Sequence, residues 1–177
     1  MVRILSDFFL RYKLNKKLKS LTSVSKKDLN TFKTMAVLIP QAYEIDEQLF
    51  LSLSKVFKIS NQNITIVVFS QRKIEEQSGK IQRRINCSDD AVGFWGNINE
   101  EIALLFQQEF DLLINYFDKK TLLPSFVSAH CQAKVRLGFS NSNHALNDLM
   151  FAIDPKETKL FLSESTRYLK TILKKVK

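Results

Sequence analysis

EFDLLINYFDKKTLLPSFVSAHCQAKVRLGFS, residues 109–140, is the stretch on which the fold reading turns. It holds two short apolar runs, DLLINYF at 111–117 and KVRLGF at 134–139, with a helix-like segment at 121–131 between them. A run that is apolar without alternation suits a strand covered on both faces, as in parallel sheets. Strand, helix and strand in that order are therefore read as one crossover unit of an α/β fold.

Working outward, the same grammar repeats. Towards the N-terminus, MAVLIPQ at 35–41 is a buried strand stopped by Pro40, and NITIVVFS at 63–70 is a second. Helices are expected at 45–58, where Asp46 is placed as N-cap, and at 99–110, whose acidic first turn suits the helix dipole. Towards the C-terminus, LMFAI at 149–153 is a last strand, and 157–177 is a helix with Leu160, Ser163, Tyr168, Leu169 and Ile172 on its apolar face. Residues 71–97 have no clear period, apart from a short strand possible near 82–86 and a turn in which Trp95 is expected to be buried. Together these elements predict a Rossmann-like, doubly wound, mainly parallel sheet of about five strands with helices on both faces. Val67, Leu113, Ile114 and Leu137 are expected in its core.

The chain divides into a basic N-terminal helix and polar linker at 1–33 and a single α/β domain at 34–177 with a basic C-terminal helix. Its 177 residues suffice for one unstapled core, and the 14 Phe suggest what fills it. Two cysteines, Cys87 and Cys131, form no ligand spacing, and no secretory signal or membrane span is read, so the expected location is cytoplasmic.

The net charge of +9 is unevenly distributed. Residues 1–33 carry nine Lys and Arg against two acids, and residues 167–177 carry five with none. Residues 85–166 hold six basic against eleven acidic residues. Basic ends on an acidic body point to an anionic partner, either RNA or an anionic membrane surface. Arg11, Lys13, Lys16, Lys17 and Lys19 are the candidate contacts, and a protein partner is the further alternative. Within the N-terminal helix, Ile4, Leu5, Phe8, Phe9 and Tyr12 share one face, while Leu10, Leu14, Leu18 and Leu21 share another. Two apolar faces suggest a helix that packs against two neighbours or bends.

The search for chemistry returns little. The first strand runs into PQAYEID at 40–46, so there is neither a phosphate loop nor a dinucleotide fingerprint. Ser125, Ser128 and Ser140 sit in no nucleophile elbow. His130 and Cys131 are adjacent, and neighbouring helical residues point about 100° apart, which does not suit a metal site. No metal or cofactor is expected. Ligands of doubly wound folds lie beyond the carboxyl ends of the strands, where this sequence places Gln41, Ser70, Arg72, Asn115, Asp118, Ser140 and Asn141.

The segment from FWGNINEE at 94–101 through 109–151, followed by TRYLKTIL at 166–173, resembles a family of short uncharacterised proteins found in Bacteroidota. More faintly, Asp111, Leu112, Leu113, Ile114, Arg136, Gly138 and Phe139 are similar to the N-terminal half of heptosyltransferase-type glycosyltransferases. Those enzymes hold a nucleotide sugar in a second domain. That resemblance implies a glycosyltransferase-like half-domain binding a small or sugar-like ligand at the strand ends. The residues themselves support a non-catalytic binding or adaptor domain.

Overall fold

A computed structural model of the chain describes residues 2–21, 29–71, 83–88, 91–93 and 97–175. Six parallel strands form one sheet: β1 (Met35–Pro40), β2 (Ile64–Ser70), β3 (Arg83–Ser88), β4 (Glu109–Asn115), β5 (Gln132–Phe139) and β6 (Leu149–Phe151). Their spatial order is β3-β2-β1-β4-β5-β6, the doubly wound order with its reversal between β1 and β4. Sequence predicted about five strands. The sixth is β3, whose alternation of Arg83, Arg84 and Asn86 with Ile85 and Cys87 is that of an edge strand rather than an apolar run.

The register explains why the central strands read as unbroken apolar runs. Val37 of β1 lies beside Ile66 of β2 and Ile114 of β4, and β1 is flanked on both sides. One set of side chains, including Val37, Ile66, Ile114 and Leu137, faces α2 (Leu51–Phe57) and α5 (Thr158–Lys175). The other set, including Leu38, Val67 and Leu113, faces α1 (Val2–Leu21), α3 (Glu100–Phe106) and α4 (Leu122–His130). Val67, Leu113, Ile114 and Leu137 are fully buried as expected.

Element boundaries shift where turn chemistry intervenes. A 3-10 turn at Glu47–Phe50 precedes α2, and the Asp46 carboxylate accepts from the Gln48 N–H at 2.9 Å. Asn99 likewise accepts from the Ile102 N–H at 3.0 Å and starts α3. That helix stops at Phe106, short of the predicted 110, because Glu109 already pairs with Gln132 in the sheet. On α5 the inner face is Phe161, Leu162, Ser165 and Leu169, whereas Leu160, Ser163 and Tyr168 point to solvent.

The connection from β5 to β6 contains only a short 3-10 turn at His144–Leu146. The place of a crossover helix is taken by α1, which packs beside α4 and this turn. Leu10 and Leu14 are buried there, with Leu18 and Leu21 packed against the same core. The N-terminal end of α1 lies by the start of α4, and Lys13 and Lys17 lie by its end at His130. Helix α1 therefore runs opposite to the strands. The following segment, read from sequence as polar linker, buries Leu29 and Phe32 on the other face, where Phe32 meets Phe57 edge-on at 5.2 Å. Residues 22–28 of that linker, and Trp95, lie outside the described residues.

Candidate functional site

The reversal between β1 and β4 is where a doubly wound sheet opens a crevice at its carboxyl edge. Here two tyrosines and an aspartate lie at that edge. Tyr116 follows β4 directly and is completely buried. Its hydroxyl donates to the Pro155 carbonyl at 2.6 Å and lies 3.0 Å from the Thr158 hydroxyl, holding the start of α5 against the strand ends. Phe50, Phe139 and Phe161 pack around its ring at 5.0–5.2 Å. Above it, Tyr43 from the 3-10 turn after β1 donates to the Asp118 carboxylate, and the Asp118 N–H returns a bond to the same hydroxyl at 3.2 Å. Burial, then the bond to Asp118, pushes the Tyr43 phenol up to about 12. Glu44 turns the chain away with a left-handed φ of 50°.

The described strand-end residues fall along this edge and are held largely by structural bonds. Gln41 and Asn141 are exposed, Ser70 is half-buried at the end of β2, and Arg72 lies outside the described residues. Asp118 is committed to Tyr43. Asn115 is fully buried, and its amide meets the Asn147 amide at 2.7 Å; Asn147 in turn reaches the Ser142 hydroxyl at 2.9 Å. Ser140 accepts from the His144 ring at 2.6 Å through its carbonyl, while its N–H donates to Phe151. These bonds shape the loop between β5 and β6.

Asp111, Arg136 and Gly138, read from sequence as transferase-like, have structural duties. Asp111 accepts from the Lys33 and Thr34 N–H groups at 2.7 and 3.2 Å and pairs with Lys134 at 2.8 Å, fastening the incoming chain to β4. Arg136 is buried and donates to the Ser128 and Cys131 carbonyls at 2.8 and 2.5 Å, closing the carbonyl end of α4. Gly138 leaves room for Asn147, whose side-chain atoms would lie 2.5 Å from a β-carbon at that position.

His130 and Cys131 diverge. The His130 ring lies against Phe126 and Phe106, with centroids 4.2 and 5.2 Å away, and its Nδ1–H donates to the Phe126 carbonyl at 2.9 Å. Burial, followed by the nearby Lys17 and Lys13, lowers its pKa. Cys131 is buried, and burial raises its thiol to about 12, far from thiolate chemistry at neutral pH. Among the described residues no three His, Cys, Asp or Glu side chains gather as metal ligands.

An open cleft of about 240 Å³ does exist, away from the expected residues. Ser6, Asp7 and Leu10 of α1, Val92, and the first turn of α4 from Thr121 to Pro124 line it. Sequence reasoning missed it because it depends on α1 docking beside α4, which no local pattern encodes. Asp7 places an acid by the positive end of α4, and Pro124 removes one of the N–H groups an anion would need there.

The basic residues divide by position on α1. Arg11, Lys16 and Lys19 are exposed, whereas Lys13 and Lys17 are half-buried on the side towards His130. Helix α5 begins at Tyr116 and also runs back along the strands, so exposed Lys170 and Lys174 come to the same amino edge of the sheet from the opposite face. Among the described residues no helix is long and apolar enough to cross a membrane.

A family model described as a family of unknown function (DUF6913) matches residues 7–172. No curated protein and no solved structure matches the chain.

Proposed function

We propose that this chain, which belongs to the family of unknown function DUF6913, is a non-catalytic binding module that contacts an anionic partner through its basic helix ends. The carrying observation is the way α1 is seated. Its Leu10–Leu14 face is buried against the domain, so Arg11, Lys16 and Lys19 are presented to solvent on a fixed support. Lys170 and Lys174 of α5 are exposed as well, across the sheet from α1. The strand-end residues support this reading over a small-molecule enzyme, since Tyr116 is buried in the core and Tyr43 and Asp118 are bonded to each other. So do the structural duties of Asp111, Arg136 and Gly138, the residues on which the transferase resemblance rests.

The test is a salt titration of binding to single-stranded RNA and to vesicles containing phosphatidylglycerol. The wild type is compared with a chain carrying Arg11→Ser, Lys16→Ser and Lys19→Ser. These three are chosen because Lys13 and Lys17 are half-buried on the side towards His130, whereas these are exposed. Affinity should fall steeply with salt, for RNA by somewhat under one power of concentration per phosphate contact. The triple variant should bind more weakly with unchanged thermal stability. Binding to neither surface at low salt, or equal binding by the variant, would remove the proposal.

A further inference from the structure

The charged face of α1 carries a second property. Leu5, Phe8 and Tyr12 are 43%, 64% and 64% exposed, against a helix whose Leu10 and Leu14 are buried. Spaced at three and four residues, Leu5, Phe8, Tyr12, Lys16 and Lys19 form one stripe along the outside of the helix. The sequence suggested two apolar faces; Leu10 and Leu14 of one are buried, whereas Leu5, Phe8 and Tyr12 of the other stay exposed. The outer stripe is apolar and aromatic over its first half and cationic over its second, with Arg11 at its flank and no acid from Phe8 to Lys19.

We infer that this stripe docks on an anionic lipid bilayer, with α1 lying in the plane of the interface. The inference rests on the anionic-partner reading and names that partner. A bilayer surface satisfies both halves together. Leucine and the aromatic rings enter the headgroup boundary, the Tyr12 hydroxyl stays with water, and the lysine ammoniums reach anionic headgroups. RNA phosphates would satisfy the lysines but leave Leu5 without a partner. A second copy of the chain would bring two sets of Arg11, Lys16 and Lys19 together with no acid on the stripe to pair them. Because the inner face of α1 is anchored, the stripe needs no coupled folding to bind, and its cost of ordering is low.

The geometry separates the two basic ends. With α1 in the interface, the sheet lies between the membrane and α5, so Lys170 and Lys174 are held beyond about one Debye length from the headgroups. They should contribute little.

The test uses the full chain in co-sedimentation with vesicles of phosphatidylcholine alone or mixed with phosphatidylglycerol. The wild type should pellet with the mixed vesicles only. Phe8→Ser with Tyr12→Ser should weaken binding by at least about tenfold, as should Lys16→Ser with Lys19→Ser, while Lys170→Ser with Lys174→Ser should leave it nearly unchanged. All these side chains are exposed, so circular dichroism and thermal midpoints should match the wild type. A Phe8→Trp chain should gain a blue-shifted emission with mixed vesicles. If the aromatic pair can be replaced without loss while the lysine pair cannot, or if RNA alone is bound, insertion is refuted and the anionic-partner reading survives. A concentration-dependent dimer abolished by the aromatic variant, without vesicle binding, would likewise refute it. Failure to bind either polyanion would end both.

Discussion

Asp111 ties the segment entering β1 to β4 through two backbone N–H groups and Lys134. Burial pushes its carboxyl pKa up, but Lys134 and the Lys33 N–H outweigh that and hold it below the ordinary value. A depressed carboxylate stabilises the fold above its unfolded pKa and loses that contribution as pH falls through the folded value. Asp111→Asn should therefore cost about 1–3 kcal/mol at neutral pH and flatten the decline in stability below about pH 4. Urea unfolding at neutral and acid pH measures both; an unchanged midpoint at neutral pH would contradict the assignment. His130 has the opposite charge type and a lowered pKa. Its protonation favours the unfolded chain, so stability should decline as pH falls below about 6.5, and His130→Asn should remove that slope. Thermal melts across that range decide it. Gly138→Ala should cost about 1–3 kcal/mol, because the new methyl meets an Asn147 side chain held by Asn115 and Ser142. A neutral effect in chemical denaturation would mean that Asn147 yields without losing its partners.

At the scale of elements, α1 illustrates what a helix can be used for when its two faces differ. Leu14→Ala should destabilise the domain by about 2–5 kcal/mol, because Leu14 is core, whereas Tyr12→Ser two residues earlier should leave stability within about 0.5 kcal/mol. A matched pair of denaturation curves tests this, and equal losses would mean that the outer face also packs. The sequence carried the two faces clearly, but not which of them would find a neighbour. The same limit runs through the molecule. β1, β2, β4 and β5 were legible because parallel strands covered on both sides are apolar throughout. β3 was barely legible because an edge strand carrying Arg83 and Arg84 lacks that signature. Gln41, Ser70, Asn115, Ser140 and Asn141 do lie at strand ends, yet their roles were not legible. Whether Asp118 greets a ligand or Tyr43 depends on register between segments 75 residues apart. Tyr116 reads as one more apolar residue of a strand, although it lies just past β4 and its hydroxyl holds the start of α5.

For the whole molecule, the all-parallel order places β1 and β4 at the centre, and each half of the sheet depends on a crossover that buries one face. Removing residues 2–21 would uncover the face bearing Leu38 and Leu113 near α4. Such a chain should unfold at lower urea with a shallower transition and bind a hydrophobic dye when native. A cooperative, dye-free transition would show that α1 is an appendage. The substitution of α1 for a crossover helix also has a consequence in time. On the ribosome α1 is made well ahead of its support, because α4 and the His144–Leu146 turn on which it rests come more than a hundred residues later. At the usual pace of synthesis the Leu10–Leu14–Leu18–Leu21 face waits on the order of ten seconds before its docking surface exists. During that interval the leucine face of α1 is a natural client for a chaperone, and its docking must follow the synthesis of both α4 and the turn.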